Sequence, residues 1–287
     1  MNIYYSNFYN ENGFASDAFK ILLQITKINL EGRYHISSIN KAIKKAGWIN
    51  EKRLERWDIA PPPELKAKEG DIIDACHIGL KMGETIYPSR KKYDGILFLG
   101  AAFFTVVNRW KFYKQMIQDG KLDTIQELWI LTGDRNLNEK AGETIEAMSK
   151  IIKTQLSINL FPKNELEMIK YVINSLGTPN GTRVKYINSE KEKNHFRATT
   201  FSTMVKFIEL EEGQKSNFAA ISNQPYALYQ LTALKMAEKK LGRKFIIEPI
   251  GSKAIIPKDK HNYVAVLLDT VAKISRNLEQ LRIGSQI

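Results

Sequence analysis

Tyr93-Asp94-Gly95-Ile96-Leu97-Phe98-Leu99-Gly100 is the segment that most restricts how this chain can fold. An acidic residue precedes an apolar run that closes on glycine, and small Ala101 and Ala102 lead on into a helix-like stretch. An uninterrupted apolar run of strand length is buried on both faces, whereas a half-solvated strand alternates. Four more strand candidates follow, at Glu127 to Thr132, Arg183 to Ile187, Asn217 to Ser222 and Lys244 to Pro249. Helical stretches near 105–119, 138–154, 163–176, 197–211 and 225–241 separate them. Such alternation predicts an α/β fold over residues 91–252, with a parallel sheet of about five strands and helices on both faces. Right-handed crossovers bring all strand carboxyl ends to one edge. Asp94 to Gly100 is the expected central strand, beside the one ending at Ser222, which puts a pocket at Gly100 and Asn223.

Residues 1–90 carry no strand-like run. Phe19, Leu22, Leu23, Ile25 and Ile28 predict an amphipathic helix from about Ser16, with Ser16-Asp17 placed for capping. Tyr34 to Ala46 reads as a second helix, Glu51 to Trp57 as a short third, and Glu69 to Met82 as a fourth that Gly83 stops. Pro61-Pro62-Pro63 forbids helix between them. The region is expected to form a helical subdomain. In residues 253–287, Val264, Leu267, Leu268, Val271, Ile274, Leu278 and Leu281 recur at helical spacing, which predicts a carboxyl-terminal packing helix.

Composition bounds the function classes. Cys76 is the only cysteine, so no internal disulfide or cysteine zinc cluster can form, and its apolar neighbours predict a buried structural thiol. His35, His77, His195 and His261 are scattered, which argues against a histidine metal site. No stretch is apolar enough to span a membrane and the amino terminus lacks a signal-peptide pattern, so the expected location is the cytosol. The net charge of +12 is spread along the chain as +2 over residues 1–90, +7 over 91–252 and +3 over 253–287. A surface that tracks phosphates concentrates its charge, so a solvated face is the favoured reading over a nucleic-acid groove.

The strand ends share small and polar residues: Gly100 and Ala101 with Asn108 and Arg109, then Thr132-Gly133-Asp134-Arg135, then Ser222-Asn223-Gln224. Backbone amides and helix amino ends at such turns favour an anionic or strongly polar ligand. Arg109 and Arg135 are suited to pair with a carboxylate or phosphate. Thr199 and Thr200, after the polar segment around His195, either line the pocket or cap the next helix. Gly133-Asp134 reads equally as a tight turn. Asn164 is placed to cap a helix opening at Glu165, the leading acid/base candidate, with Arg109 beside it as a catalytic candidate. Glu143, Glu146 and Glu167 also sit at helix starts, and nothing in the sequence distinguishes one carboxylate. There is no Gly-x-Gly-x-x-Gly turn, phosphate loop, His-Glu-x-x-His or nucleophile elbow.

Asp94-Gly95-Ile96-Leu97-Phe98-Leu99-Gly100, Arg109, Thr132-Gly133-Asp134 and Asn164-Glu165-Leu166 occur in that order. Met168, Gly177-Thr178-Pro179, the segment Glu190 to Thr200 and Ser222 to Gln230 continue it. Over about residues 93–252 this order resembles the YdcF/ElyC/SanA-type family of bacterial proteins. That family has Asp-Ala-hydrophobics-Leu-Gly-Gly at its first strand and Arg in the next helix. Ser-Gly-Gly follows, then a Ser/Asn-Glu-Ala helix start, and Thr-Ser-x-x-His…Arg-Ala late in the chain. Ala227 stands where the family's His falls, and Gln230 where its Arg falls. The resemblance implies a Rossmann-like sheet with a pocket for a nucleotide-like molecule. YdcF-like members, the soluble branch, are associated with S-adenosylmethionine, other branches with the cell envelope. The expected function is therefore binding of a nucleotide-like or anionic small molecule, with transfer or hydrolysis if the protein is an enzyme. A non-catalytic regulatory module using residues 1–90 as a partner surface is the first alternative, and nucleic-acid binding through the basic surface is the second.

Overall fold

A computed structural model describes residues 5–50, 55, 58–124, 127–153, 156–191, 198–211 and 215–283. The chain forms two compact units. One comprises Ile86–Asn223 and Ala233–Ser252, and the other Met1–Thr85, Gln224–Thr232 and Lys253–Ile287.

The first unit is built on five parallel strands: β1 (Gly95–Leu99), β2 (Glu127–Gly133), β3 (Arg183–Ser189), β4 (Asn217–Asn223) and β5 (Ile246–Ser252). Their spatial order is β3-β2-β1-β4-β5, so β1 is central and β4 lies beside it. The fold is α/β and Rossmann-like. Every residue of β1 is buried, and its alternate side chains serve opposite faces, as the pleat dictates. Ile96 and Phe98 join the core formed with α4 (Phe103–Gln118), α5 (Ile145–Ile152) and α6 (Glu165–Leu176). Phe98 and Trp110 meet edge to face at 5.6 Å. Another aromatic cluster links Trp129 of β2, Phe207 of α7 (Thr200–Leu210) and Phe218 of β4, with centroids 5.2 and 5.4 Å apart. At the far side of β5, Ile86 and Gly251 exchange backbone hydrogen bonds of 2.8 and 3.0 Å and cover part of that edge.

All five expected strands form, within two residues of their expected starts. The helical stretch expected over 138–154 is divided. Asn138 caps a single 3-10 turn at Glu139–Ala141, Gly142 turns the chain at φ 72°, and Thr144 starts α5 by accepting from the Ala147 amide. Glycine reaches that left-handed conformation most readily because it has no Cβ.

The second unit is helical. It holds α1 (Asp17–Ile25), capped by Ser16, together with α2 (Ile36–Lys45), α3 (Glu69–Asp74) and the long α9 (Lys260–Ile283). The helix expected over Glu69 to Met82 changes to a π-helical turn at Ala75–Gly79. Tyr9 and Ser275 share a 2.5 Å hydrogen bond, and Asn40 donates to Glu279 at 2.7 Å, so both ends of the chain contribute to one core. Helix α8 (Ala227–Leu241) begins in this unit and ends in the other. The short helix expected from Glu51 to Trp57 lies, except for Glu55, outside the described residues, as does His195. Among the described residues no helix is long and apolar enough to cross a membrane.

Candidate functional site

From β1 the chain moves outward to β2 and β3, then returns to the other side of β1 as β4. The connections after β1 and β4 therefore leave in opposite directions, the arrangement at which open α/β sheets in general have a crevice outside the strand carboxyl ends. Three residues, Gly100 to Ala102, separate β1 from α4 there.

Gly100 is held by a 2.7 Å hydrogen bond from its amide to the Leu131 carbonyl. A Cβ at this position would stand 2.2 Å from Glu165 Oε1 and 2.9 Å from the Leu131 oxygen. Glycine is thus required, and the group that approaches it is a carboxylate of the same chain. Glu165 is the first residue of α6, where the helix dipole favours a negative charge. Asn164 caps that helix by accepting from the Glu167 amide, as its position predicts. The Glu165 amide donates to the Arg135 carbonyl at 2.9 Å. At the other end of α6, Lys114 and Trp110 of α4 donate to the Leu176 and Gly177 carbonyls. Both termini of the helix that carries Glu165 are therefore anchored.

Arg135 is bound by two carboxylates. Its Nε donates to Glu165 Oε2 at 2.8 Å, while Nη1 and Nη2 donate to the two oxygens of Glu143 at 2.7 and 2.8 Å. Arg135 and Glu165 are each 8 % exposed and Glu143 only 2 %. Burial alone would lower the pKa of Arg135. The Glu143 hydrogen bonds and the charges of Glu165 and Glu143 outweigh it and hold the guanidinium above its ordinary value. Glu143 also accepts from the amides of Phe103, at 3.1 Å, and Asn138, at 2.7 Å. It thereby closes the amino end of α4.

Arg109 is 1 % exposed and joins the ends of the two diverging strands. Its Nη1 donates to the carbonyls of Leu99 and Gly100 at 2.6 and 3.2 Å, and its Nε to Asn223 Oδ1 at 2.9 Å. Carbonyl groups at the end of a strand lack ladder partners, and the guanidinium satisfies them. Both arginines predicted to meet a ligand anion thus bind groups of the protein itself.

The other expected residues fall into three groups. Thr132, Gly133 and Asp134 continue the site toward β3: Thr132 Oγ1 donates to Asn188 Oδ1 at 2.9 Å, and the Asp134 amide to the Ser189 carbonyl at 2.8 Å. A Cβ on Gly133 would come within 2.8 Å of the Ala198 methyl, so close packing explains that glycine. Thr199 is the cap of α7, with its hydroxyl and amide engaged by Ser202 in a capping box, and Thr200 opens the helix. Ser222 is buried beside Asn223 and Ala101 is half-buried. Asn108, by contrast, is exposed on α4. Gln224 belongs to the helical unit, where its Nε2 donates to the Lys81 carbonyl at 3.0 Å.

Glu143 is the residue that sequence reasoning did not single out. Its one signal is a position between Gly142 and the cap Thr144, where an acid has no helix-propensity reason to be buried. Cys76 is buried, and burial pushes its thiol well above the ordinary range, as fits a structural thiol. His77 bonds Tyr263, His261 bonds Glu69 and His35 bonds Ser37. Among the described residues no group of three or more His, Cys, Asp or Glu side chains is arranged to hold a metal ion. No protein-family model, curated protein or solved structure matches this chain.

Proposed function

We propose that this protein binds a small nucleotide-like ligand in the crevice where β1 and β4 diverge, with Glu165 as the group that meets it. The observation that carries the reading is the buried Arg135–Glu165 pair, set against Gly100 at the carboxyl end of β1. Burying an ion pair costs desolvation that an apolar pair of the same shape avoids, so such a pair is poorly explained by stability alone. Clustered buried charge in a cleft is instead a mark of a functional site. A carboxylate fixed by a guanidinium is a strong hydrogen-bond acceptor, suited to the hydroxyls of a ribose or to an amino group. S-Adenosylmethionine, with an amino group, a sulfonium and a ribose, is compatible with that chemistry and is the ligand that the YdcF-type resemblance implies.

If the protein is an enzyme, Glu165 is the acid/base candidate and the reaction is transfer or hydrolysis. Arg109 acts by holding the ends of β1 and β4 together. A thermal-shift panel of adenosine, AMP, ADP and S-adenosylmethionine tests the reading. A ligand present at about 100 times its Kd stabilises by about 2.7 kcal/mol. Glu165→Gln should abolish the shift, and Glu146→Gln, at an exposed position on α5, should keep it. Absence of any shift across the panel would overturn the proposal. Binding that survives with no turnover of any ligand would favour the non-catalytic alternative.

A further inference from the structure

Helix α4 follows the central strand directly, and its amino end is where an open parallel sheet of this order ordinarily receives a ligand phosphate. In this protein that position is already filled. The Glu143 carboxylate, whose side chain is fully buried, lies in a cradle of the Arg135 fork, the Phe103 amide and the Asn138 amide. Two charge-assisted guanidinium bonds and two backbone amides form the donor set that would hold a phosphate. One member, the Phe103 amide, is the first of α4 itself.

We infer that Glu143 is an internal substitute for a ligand anion, and that it makes the crevice select nucleoside-type ligands with no phosphate at the α4 end. The inference rests on the small-ligand reading above and narrows it. Electrostatics leads the same way. A phosphate brought to α4 would find its donors taken and two carboxylates, Glu143 and Glu165, facing it. Arg135 is shared between those two, and Arg109 donates to Leu99, Gly100 and Asn223. A neutral or cationic substituent meets no such repulsion and gains from Glu165 as acceptor.

Calorimetric titration of the full chain with adenosine and with AMP tests this, with inorganic phosphate titrated into the wild type and Glu143→Ala. The wild type should bind adenosine at least about tenfold more tightly than AMP, equivalent to about 1.4 kcal/mol. It should not bind inorganic phosphate measurably. Glu143→Ala empties the cradle while leaving Arg135 paired one to one with Glu165, so it should gain phosphate binding and reverse the order of the two ligands. Glu143→Gln keeps the volume, and should bring the AMP and adenosine affinities closer together without creating a phosphate site. AMP binding the wild type as tightly as adenosine overturns the inference alone, whether or not the alanine variant folds. A folded Glu143→Ala protein that gains no phosphate binding overturns it as well. Failure of adenosine, AMP, ADP and S-adenosylmethionine alike to bind the wild type would bring down the small-ligand reading and this inference together.

Discussion

At the scale of single residues, close approach and charge pairing decide the outcome. Gly100→Ala would force a methyl against a carboxylate oxygen and a backbone carbonyl. Overpacking of that kind costs about 1–3 kcal/mol and should appear as a lower urea midpoint. Gly70 is the contrast: it lies within α3 and a Cβ there would meet nothing within 4 Å. Gly70→Ala should therefore raise the midpoint, by about 0.4–1 kcal/mol of stability, because alanine loses less chain entropy on forming a helix. Arg135→Leu would remove the guanidinium that the buried Glu143 and Glu165 share, a loss of about 3–5 kcal/mol by the cost of breaking a buried pair. A variant no less stable than wild type would show that these carboxylates find other partners. The importance of Gly100 was legible in the sequence as a permissive strand end. The identity of the group against it was not, because Glu165 lies far along the chain and its approach depends on how α6 packs.

At the scale of elements, the edge strand β3 shows how charge is used away from the site. Arg183 and Lys185 of β3 and Lys215, just before β4, converge on Glu127 at the start of β2. Lys215 is the main cause, with Lys185 adding to it, that holds the Glu127 carboxyl below its ordinary value of 4.5 against the opposing effect of desolvation. A carboxyl whose folded pKa is depressed contributes stability above its unfolded pKa and loses it as the pH falls through the folded value. Glu127→Gln should thus lower stability at neutral pH and flatten its decline below pH 4.5, as read from urea midpoints across that range. An unchanged acid limb would show that Glu127 adds nothing net. The five strands were legible because each is an apolar or β-branched run of strand length, and that signal is local. Residues 138–144 are polar or glycine apart from Ala141, so the apolar spacing that begins at Ile145 did not show where the helix starts or that Gly142 turns the chain. The π-helical turn after α3 has no periodic signature at all. Element boundaries depend on caps and on single left-handed residues, which periodicity does not register.

At the scale of the whole molecule, the chain crosses between its two units four times, at 85/86, 223/224, 232/233 and 252/253. The helical unit draws its core from both ends of the sequence: Phe8, Phe19 and Leu22 near the start, and Val264, Leu267 and Ile274 in α9, are all fully buried. Leu267→Ala should cost about 2–5 kcal/mol, the range for emptying a buried leucine site. Truncation after Ser252 removes α9 outright, and the helical signal of residues 1–85 should be lost with it in circular dichroism. Retention of that signal would show that the amino-terminal helices fold without α9. Residues 253–287 were expected as a helix set apart from residues 1–90. Their spacing marks a buried stripe without saying which partner covers it.

The sequence by itself determined the number of strands, their order along the chain, the centrality of β1 beside β4 and the single edge to which the strand carboxyl ends come. Each of these follows from local periodicity and from the connection rules of a parallel sheet, which operate over short stretches of chain. Only the tertiary structure decided which charges meet. Arg135, Glu143 and Glu165 come from three separate segments, and an ion pair depends on distance and burial rather than on spacing along the chain. For that reason the arginines that looked ready to hold a ligand anion bind the protein's own carboxylates and carbonyls. The acid that fills the amino end of α4, Glu143, was one that the sequence left indistinguishable from its neighbours.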